Sequence, residues 1–224
     1  MKRILIVAAH PDDEVLGCFG TAASLIQKGC EVFTLILSGG KTSRGPVEGS
    51  EIELLRAEMN AANALIGVRD ALQAGFPDNE FDSVPLLEIV KYVEGVKNEL
   101  APDTIFTHHA GDMNIDHQIT HRAVLTATRP MAGECVKTVY AMEVPSSTEW
   151  NSYSPQSAFV PNVFFDVSST IDMKVAAMAE YKSELREYPH PRSLRHLREL
   201  AKVNGTKVGL EYAESFALVR NVHG

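Results

Sequence analysis

Two clusters carry the chemistry open to this chain: Ala9-His10-Pro11-Asp12-Asp13-Glu14 near its start, and Gly111-Asp112-Met113-Asn114-Ile115-Asp116-His117 near its middle. His10 and Asp13, three apart across a turn between an apolar run and a helical one, can face one ion from the same side. His117 is the candidate third ligand. Two imidazoles and one carboxylate form an N/O set suited to zinc, or to another divalent ion. Three protein ligands leave a position for water, as in catalytic sites. An ion held there would lower the pKa of that water and polarise a carbonyl. Asp12, beside the ligands but not needed as one, is placed to take the water's proton. Asp116, next to His117, can orient an imidazole from behind. Plainer readings compete at each position. Acidic residues at 12–14 also suit a helix N-terminus, Asp116 can be an N-cap with His117 an ordinary first-turn residue, and His121, one turn further on the same face, rivals His117.

Elements must bring these clusters together. Short runs rich in β-branched residues alternate with stretches of helical period, the pattern of βαβ units on a parallel sheet. The expected strands are 3–9, 31–38, 70–75, 103–109, 137–143, 162–167 and 215–220. The expected helices are 13–28, 51–66, 84–100, 116–128, 170–183 and 191–203, with Gly29, Gly67 and Pro102 where helices should stop. The expected fold is an α/β single domain over 1–224, a Rossmann-like three-layer αβα sandwich with a mostly parallel sheet. Such sheets bind ligands beyond the carboxyl ends of their strands, where strand order reverses. Strands one and four would be neighbours there, and each ends in one of the clusters. Two long polar loops, 38–50 and 144–161, the latter with Trp150 and Tyr153, are expected beside the site.

Composition narrows the classes. The 224 residues are 45% hydrophobic and 22% charged, an ordinary globular balance. A formal charge of −8 argues against nucleic acid as a partner, since phosphate neutralisation needs an excess of Lys and Arg. A dinucleotide-binding sheet would place a glycine-rich turn after strand one, and here that turn carries three carboxylates that repel phosphate. Cys18, Cys30 and Cys135 are odd in number and lack C-x-x-C spacing, which suggests reduced thiols. The apolar run at 4–9 is too short for a transmembrane segment and is followed by His-Pro-Asp-Asp rather than a cleavage site. A cytoplasmic protein is the expectation.

The sequence resembles the LmbE-like or PIG-L family of zinc-dependent N-acetylglucosaminyl deacetylases. The residues that carry the resemblance are A-H-P-D-D-E at 9–14, Asp116-His117, Arg56, Thr120-His-Arg-Ala-Val124, and Tyr212-Ala213-Glu214-x-Phe216. It implies zinc on His10, Asp13 and His117, Asp12 as general base, Arg56 as a substrate contact, and removal of an N-acetyl group from a glucosamine-type sugar. One position departs. The family's second motif usually reads H-P-D-H, and its first histidine is thought to stabilise the tetrahedral intermediate, whereas this chain has Asn114. A neutral amide donates a weaker bond than an imidazolium, so a histidine recruited from elsewhere is expected, His190 ahead of His109.

His109 and His190 are accordingly placed on the substrate side, His109 at the end of strand four and His190 in a His-Pro-Arg-Ser turn. Within 182–207, seven basic side chains face three acidic ones, which suits an anionic, nucleotide- or lipid-linked amino-sugar substrate. A homo-oligomer is compatible with this reading. The rivals are a hydrolase of a non-sugar amide with the same metal site, and a catalytically impaired metal- or carbohydrate-binding homologue.

Overall fold

The computed structural model describes residues 1–40, 49–152, 154–155 and 157–223. Seven strands form one sheet: β1 (Arg3–Ala8), β2 (Glu31–Ser38), β3 (Asp70–Phe76), β4 (Thr104–His108), β5 (Thr138–Met142), β6 (Val163–Asp166) and β7 (Ala213–Asn221). Their order is β3-β2-β1-β4-β5-β7-β6. The first five are parallel, and β7 runs antiparallel to both β5 and β6. The helices are α1 (Asp13–Gln27), α2 (Gly49–Ile66), α3 (Leu86–Leu100), α4 (Ile115–Ala127), α5 (Ile171–Glu180) and α6 (Leu194–Thr206).

β1 is buried along all but its first residue, because helices cover both faces of the sheet. Alternate side chains divide between two cores. Ile4, Ile6 and Ala8 pack with residues of α1, α2, α5 and α6. Leu5, Val7 and Ala9 pack with α3 and α4. Each fully buried Ile, Leu or Val contributes roughly 1.5–3 kcal/mol, so the strand that leads into His10 is firmly anchored.

The expected α/β class and every expected element are present, with shifted ends. α3 starts at Leu86 rather than 84, because Phe81–Ser83 form a 3-10 turn and Pro85 takes the N-cap. α6 starts at Leu194 rather than 191. His190–Ser193 close a turn of their own, and the Ser193 side chain accepts from His196 N to cap the helix. β7 begins two residues before 215, at Ala213, so Glu214 lies inside it. There Glu214 accepts the backbone N–H groups of Gly20 and Thr21 and pairs with Lys174, tying β7 to α1 and α5. Among the described residues, no helix is long and apolar enough to cross a membrane.

Candidate metal centre

β1 delivers the first cluster through a forced turn. Asp12 has φ 99°, a left-handed conformation that costs a non-glycine residue about 1–3 kcal/mol. Neighbouring bonds hold it there. The Asp12 N–H donates to Glu14 Oε2 at 3.1 Å, and Glu14 Oε1 accepts from the Tyr181 hydroxyl at 2.5 Å and from Asn63 Nδ2 at 3.3 Å. The N–H of His10 donates to Asp13 Oδ2 at 2.8 Å, so this loop also aims Asp13. β4 and the N-terminus of α4 deliver the second cluster, with Asn114 as N-cap accepting from Asp116 N.

His10 Nδ1, Asp13 Oδ2 and His117 Nε2 meet at one point. They are separated by 3.3 Å (His10 to Asp13), 3.3 Å (His10 to His117) and 3.2 Å (His117 to Asp13). This trio could hold a metal ion. The far side of each ring is backed by a carboxylate. His10 Nε2 donates to Asp116 Oδ2 at 3.0 Å and lies 3.5 Å from Asp78, while His117 Nδ1 lies 3.2 Å from Asp112 Oδ1. Such backing fixes tautomer and ring orientation in metal sites.

The electrostatics favour a cation here. Burial pushes both imidazoles down, yet Asp116 and Asp13 raise His10 to about 10, and Asp13 with Asp112 raises His117 to about 9. Asp13 is raised by burial but driven well below the usual carboxylate range by His117 and His10. Asp112 is likewise brought down to about 2, burial being outweighed by His117, Ser147 and Thr148. The carboxylates thus hold positive charge on the two rings. A divalent ion would satisfy the same field with both imidazoles neutral, and the donor set fits it.

A cavity of about 220 Å³ opens over this point, walled by His10, Asp12, Asp78, Asn114, His117 and Arg192 among others. Asp12 is driven above its ordinary value by burial, relieved by Arg192 and reinforced by Asp13. Arg192 reaches it from the turn before α6, donating through one terminal nitrogen to Asp12 Oδ2 and Glu184 Oε2, each at 3.1 Å, and through Nε to Ser146 Oγ at 2.8 Å.

The expected site residues divide. His10, Asp12, Asp13, Asn114 and His117 come together at the cavity or directly beneath it. Asp116 is wholly buried behind His10 and does not line the cavity, so it positions an imidazole rather than touching a reacting atom, and that imidazole belongs to His10. Its second oxygen accepts from Phe81 N. His121 stands outside the converging trio, its Nδ1 donating to the His108 carbonyl at 2.8 Å. His109, expected on the substrate side, donates instead to the Ser157 carbonyl at 3.1 Å and sits edge-on to Phe159. His190 opens onto an adjacent recess, and Arg56 is exposed on α2 next to the cavity residue Leu55. Among the described residues, His10 and His117 are the histidines lining the cavity. Tyr153 and residues 41–48 of the glycine-rich loop lie outside the described residues.

Sequence reasoning missed Asp78, Asp112, Tyr181 and Arg192 as site residues. Asp112 had a signal, since it lies in the second cluster. Its oxygens accept from Ser147, from Thr148 at 2.6 Å and from Asn114 N at 2.9 Å. Arg192 had one in the turn at 190–193. Asp78 follows β3, beyond the pair of strand ends that the motifs single out.

A doubly wound sheet that presents two imidazoles and a carboxylate at its switch point, under an open cavity, has the residue types of a candidate divalent-metal site. The chain belongs to the PIG-L: GlcNAc-PI de-N-acetylase family, whose profile matches residues 5–128. It is 28% identical over 189 residues to the uncharacterized deacetylase YaiS of Escherichia coli, covering 81% of this chain and 91% of that one. It is 27% identical over 236 residues to the diacetylchitobiose deacetylase of Thermococcus kodakarensis, covering 99% and 85%. The crystal structure of the conserved protein TT1542 from Thermus thermophilus superposes with a TM-score of 0.79 at 25% identity, covering 100% and 97%.

Proposed function

We propose that this chain is a zinc-dependent N-deacetylase that hydrolyses the N-acetyl group of an N-acetylglucosamine-type sugar or sugar conjugate. The observation that carries the reading is the convergence of His10 Nδ1, Asp13 Oδ2 and His117 Nε2 beneath a cavity whose wall includes Asp12. Family membership and the diacetylchitobiose deacetylase relative support the sugar. Three thiols outside any disulfide support a cytoplasmic location.

A divalent ion in this trio supplies Lewis acidity to water and to the acetyl carbonyl. Asp12 takes the attacking water's proton and returns it to the departing amine as the C–N bond breaks, giving acetate and a free amino group. Arg192 and the Glu14–Tyr181 pair hold Asp12 in its strained conformation, so its carboxylate stays aimed at the cavity. Asn114 Nδ2 donates to Asn79 Oδ1 at 2.9 Å, which leaves a neutral amide edge at the cavity wall to meet the developing oxyanion. Asp116 and Asp112 hold the two imidazoles in register.

Acetate release from a panel of N-acetylated amino sugars, with and without chelator, tests the reading. Chelator-sensitive release from at least one sugar is expected. Release confined to non-sugar amides, or no release from zinc-loaded protein, overturns it.

A further inference from the structure

Beside the cavity, sharing Ser146 and Arg192 with it, lies a second recess of about 140 Å³ lined also by Trp150, Arg186 and His190. Its cations differ in one respect. Arg192 is neutralised by two buried carboxylates. Among the described residues, Arg186 donates to the backbone carbonyls of Ser183 and Leu185, both through the same terminal nitrogen, at 3.1 and 2.7 Å. Among the described residues no carboxylate lies within ion-pair distance of it. Two further cations of the basic segment, Arg195 and Arg198, are taken up by Glu199 and Asp172. Arg186 is therefore a pinned guanidinium with open donors at the lip of the site.

Trp150, the chain's one tryptophan, is 53% exposed there and stands edge-on to His190 at 5.6 Å between ring centroids. An indole of this size is ordinarily well buried, and an exposed face beside a cavity is a platform for a sugar or another flat group. His190 Nδ1 accepts from Arg192 N at 3.1 Å, so the neutral ring carries its proton on Nε2 as a further donor. Burial and the charges of Arg192 and Arg186 both favour that neutral form.

We propose that this recess binds the group joined to the amino sugar, seating it on Trp150 and reading an anionic substituent, a phosphate or a carboxylate, with Arg186. The proposal rests on the deacetylase reading for the identity of the sugar in the adjoining cavity, and it makes the preferred substrate an anionic conjugate rather than a free amino sugar.

Indole emission in this protein comes from Trp150 alone, so binding can be read without turnover. Zinc-loaded Asp12→Asn protein at low ionic strength, where surface charge is least screened, is titrated with N-acetylglucosamine, N-acetylglucosamine 1-phosphate and inorganic phosphate, and acetate release is followed separately with the wild-type protein. The sugar phosphate is expected to perturb the emission and to bind at least about tenfold more tightly than either probe alone, because the two contacts are linked. R186Q should reduce its advantage over the neutral sugar by roughly 10–100-fold, the worth of a charge-assisted bond, whereas R186K should keep most of it. A guanidinium that only staples its own turn would make the two variants equally defective, and that result overturns the proposal. So does equal affinity for neutral and phosphorylated sugar, or inorganic phosphate binding as tightly as the conjugate. Arg186-dependent binding without acetate release would refute the deacetylase reading and leave the recess intact. Acetate release with no anionic preference would do the reverse.

Discussion

Arg192→Ala removes a guanidinium that serves two carboxylates at once, Asp12 with 2% and Glu184 with 6% of its side chain exposed, and it releases Ser146. Removing one member of a buried ion pair leaves an uncompensated charge and destabilises by about 3–5 kcal/mol. The Arg192 side chain is 23% exposed, which brings water to the pair and places the loss near the lower end, about 3 kcal/mol. In a domain of this size that lowers Tm by roughly 6–12 °C. Arg192→Lys should recover only part, because one ammonium cannot reproduce the planar arrangement that reaches Asp12, Glu184 and Ser146 together. Calorimetry of the zinc-loaded proteins checks the size, and elemental analysis checks that the metal remains, since Arg192 touches none of the proposed ligands. A Tm within about 1 °C of wild type in Arg192→Ala, well inside the span that 3 kcal/mol demands, would refute the claim that this cation holds the general base.

The other expectations are simpler. Ala at His10, Asp13 or His117 should sharply reduce bound zinc by elemental analysis, and full stoichiometric metal in His117→Ala would remove it from the ligand set. Asp12→Asn should retain zinc and lose turnover by about 10²–10⁴-fold; near-normal acetate release would exclude it as the base. Glu143, near Asn204 and Ser215, is pushed above the usual carboxylate range by burial. A carboxyl with a raised folded pKa stabilises fully below its unfolded value, about 4.3, and loses that contribution as pH climbs through the raised one. Glu143→Gln should therefore gain in Tm relative to wild type as pH rises from that value, and parallel Tm–pH curves for the two proteins would contradict the shift.

The candidate metal centre was legible in the sequence for a reason that does not extend to the rest of the site. His10, Asp12 and Asp13 are read from a single turn, and Asp116 and His117 from a single helix start, so short-range spacing states their geometry once strands one and four are neighbours. The sheet itself was legible because β1, β2 and β4 are almost wholly buried and must be written in β-branched and aliphatic residues. What surrounds the metal point is written differently. Arg192 meets Asp12 across 180 positions of chain, and Tyr181 meets Glu14 across 167. Neither residue sits in a motif, because its partner is supplied by the fold. His109 was harder to place for the related reason that a polar residue at a strand end has several ways to satisfy its hydrogen bonds. It found the Ser157 carbonyl, which lies in a segment whose course no period announces. The absent motif histidine at position 114 led to the expectation of a replacement imidazole. The structure offers another arrangement: Asn114 caps α4 and bonds Asn79, and a guanidinium, Arg192, stands at the cavity wall paired with Asp12 and Glu184. Charge at this site is thus set by contacts between distant segments, while metal geometry is set by local ones, and only the second kind can be read directly from spacing.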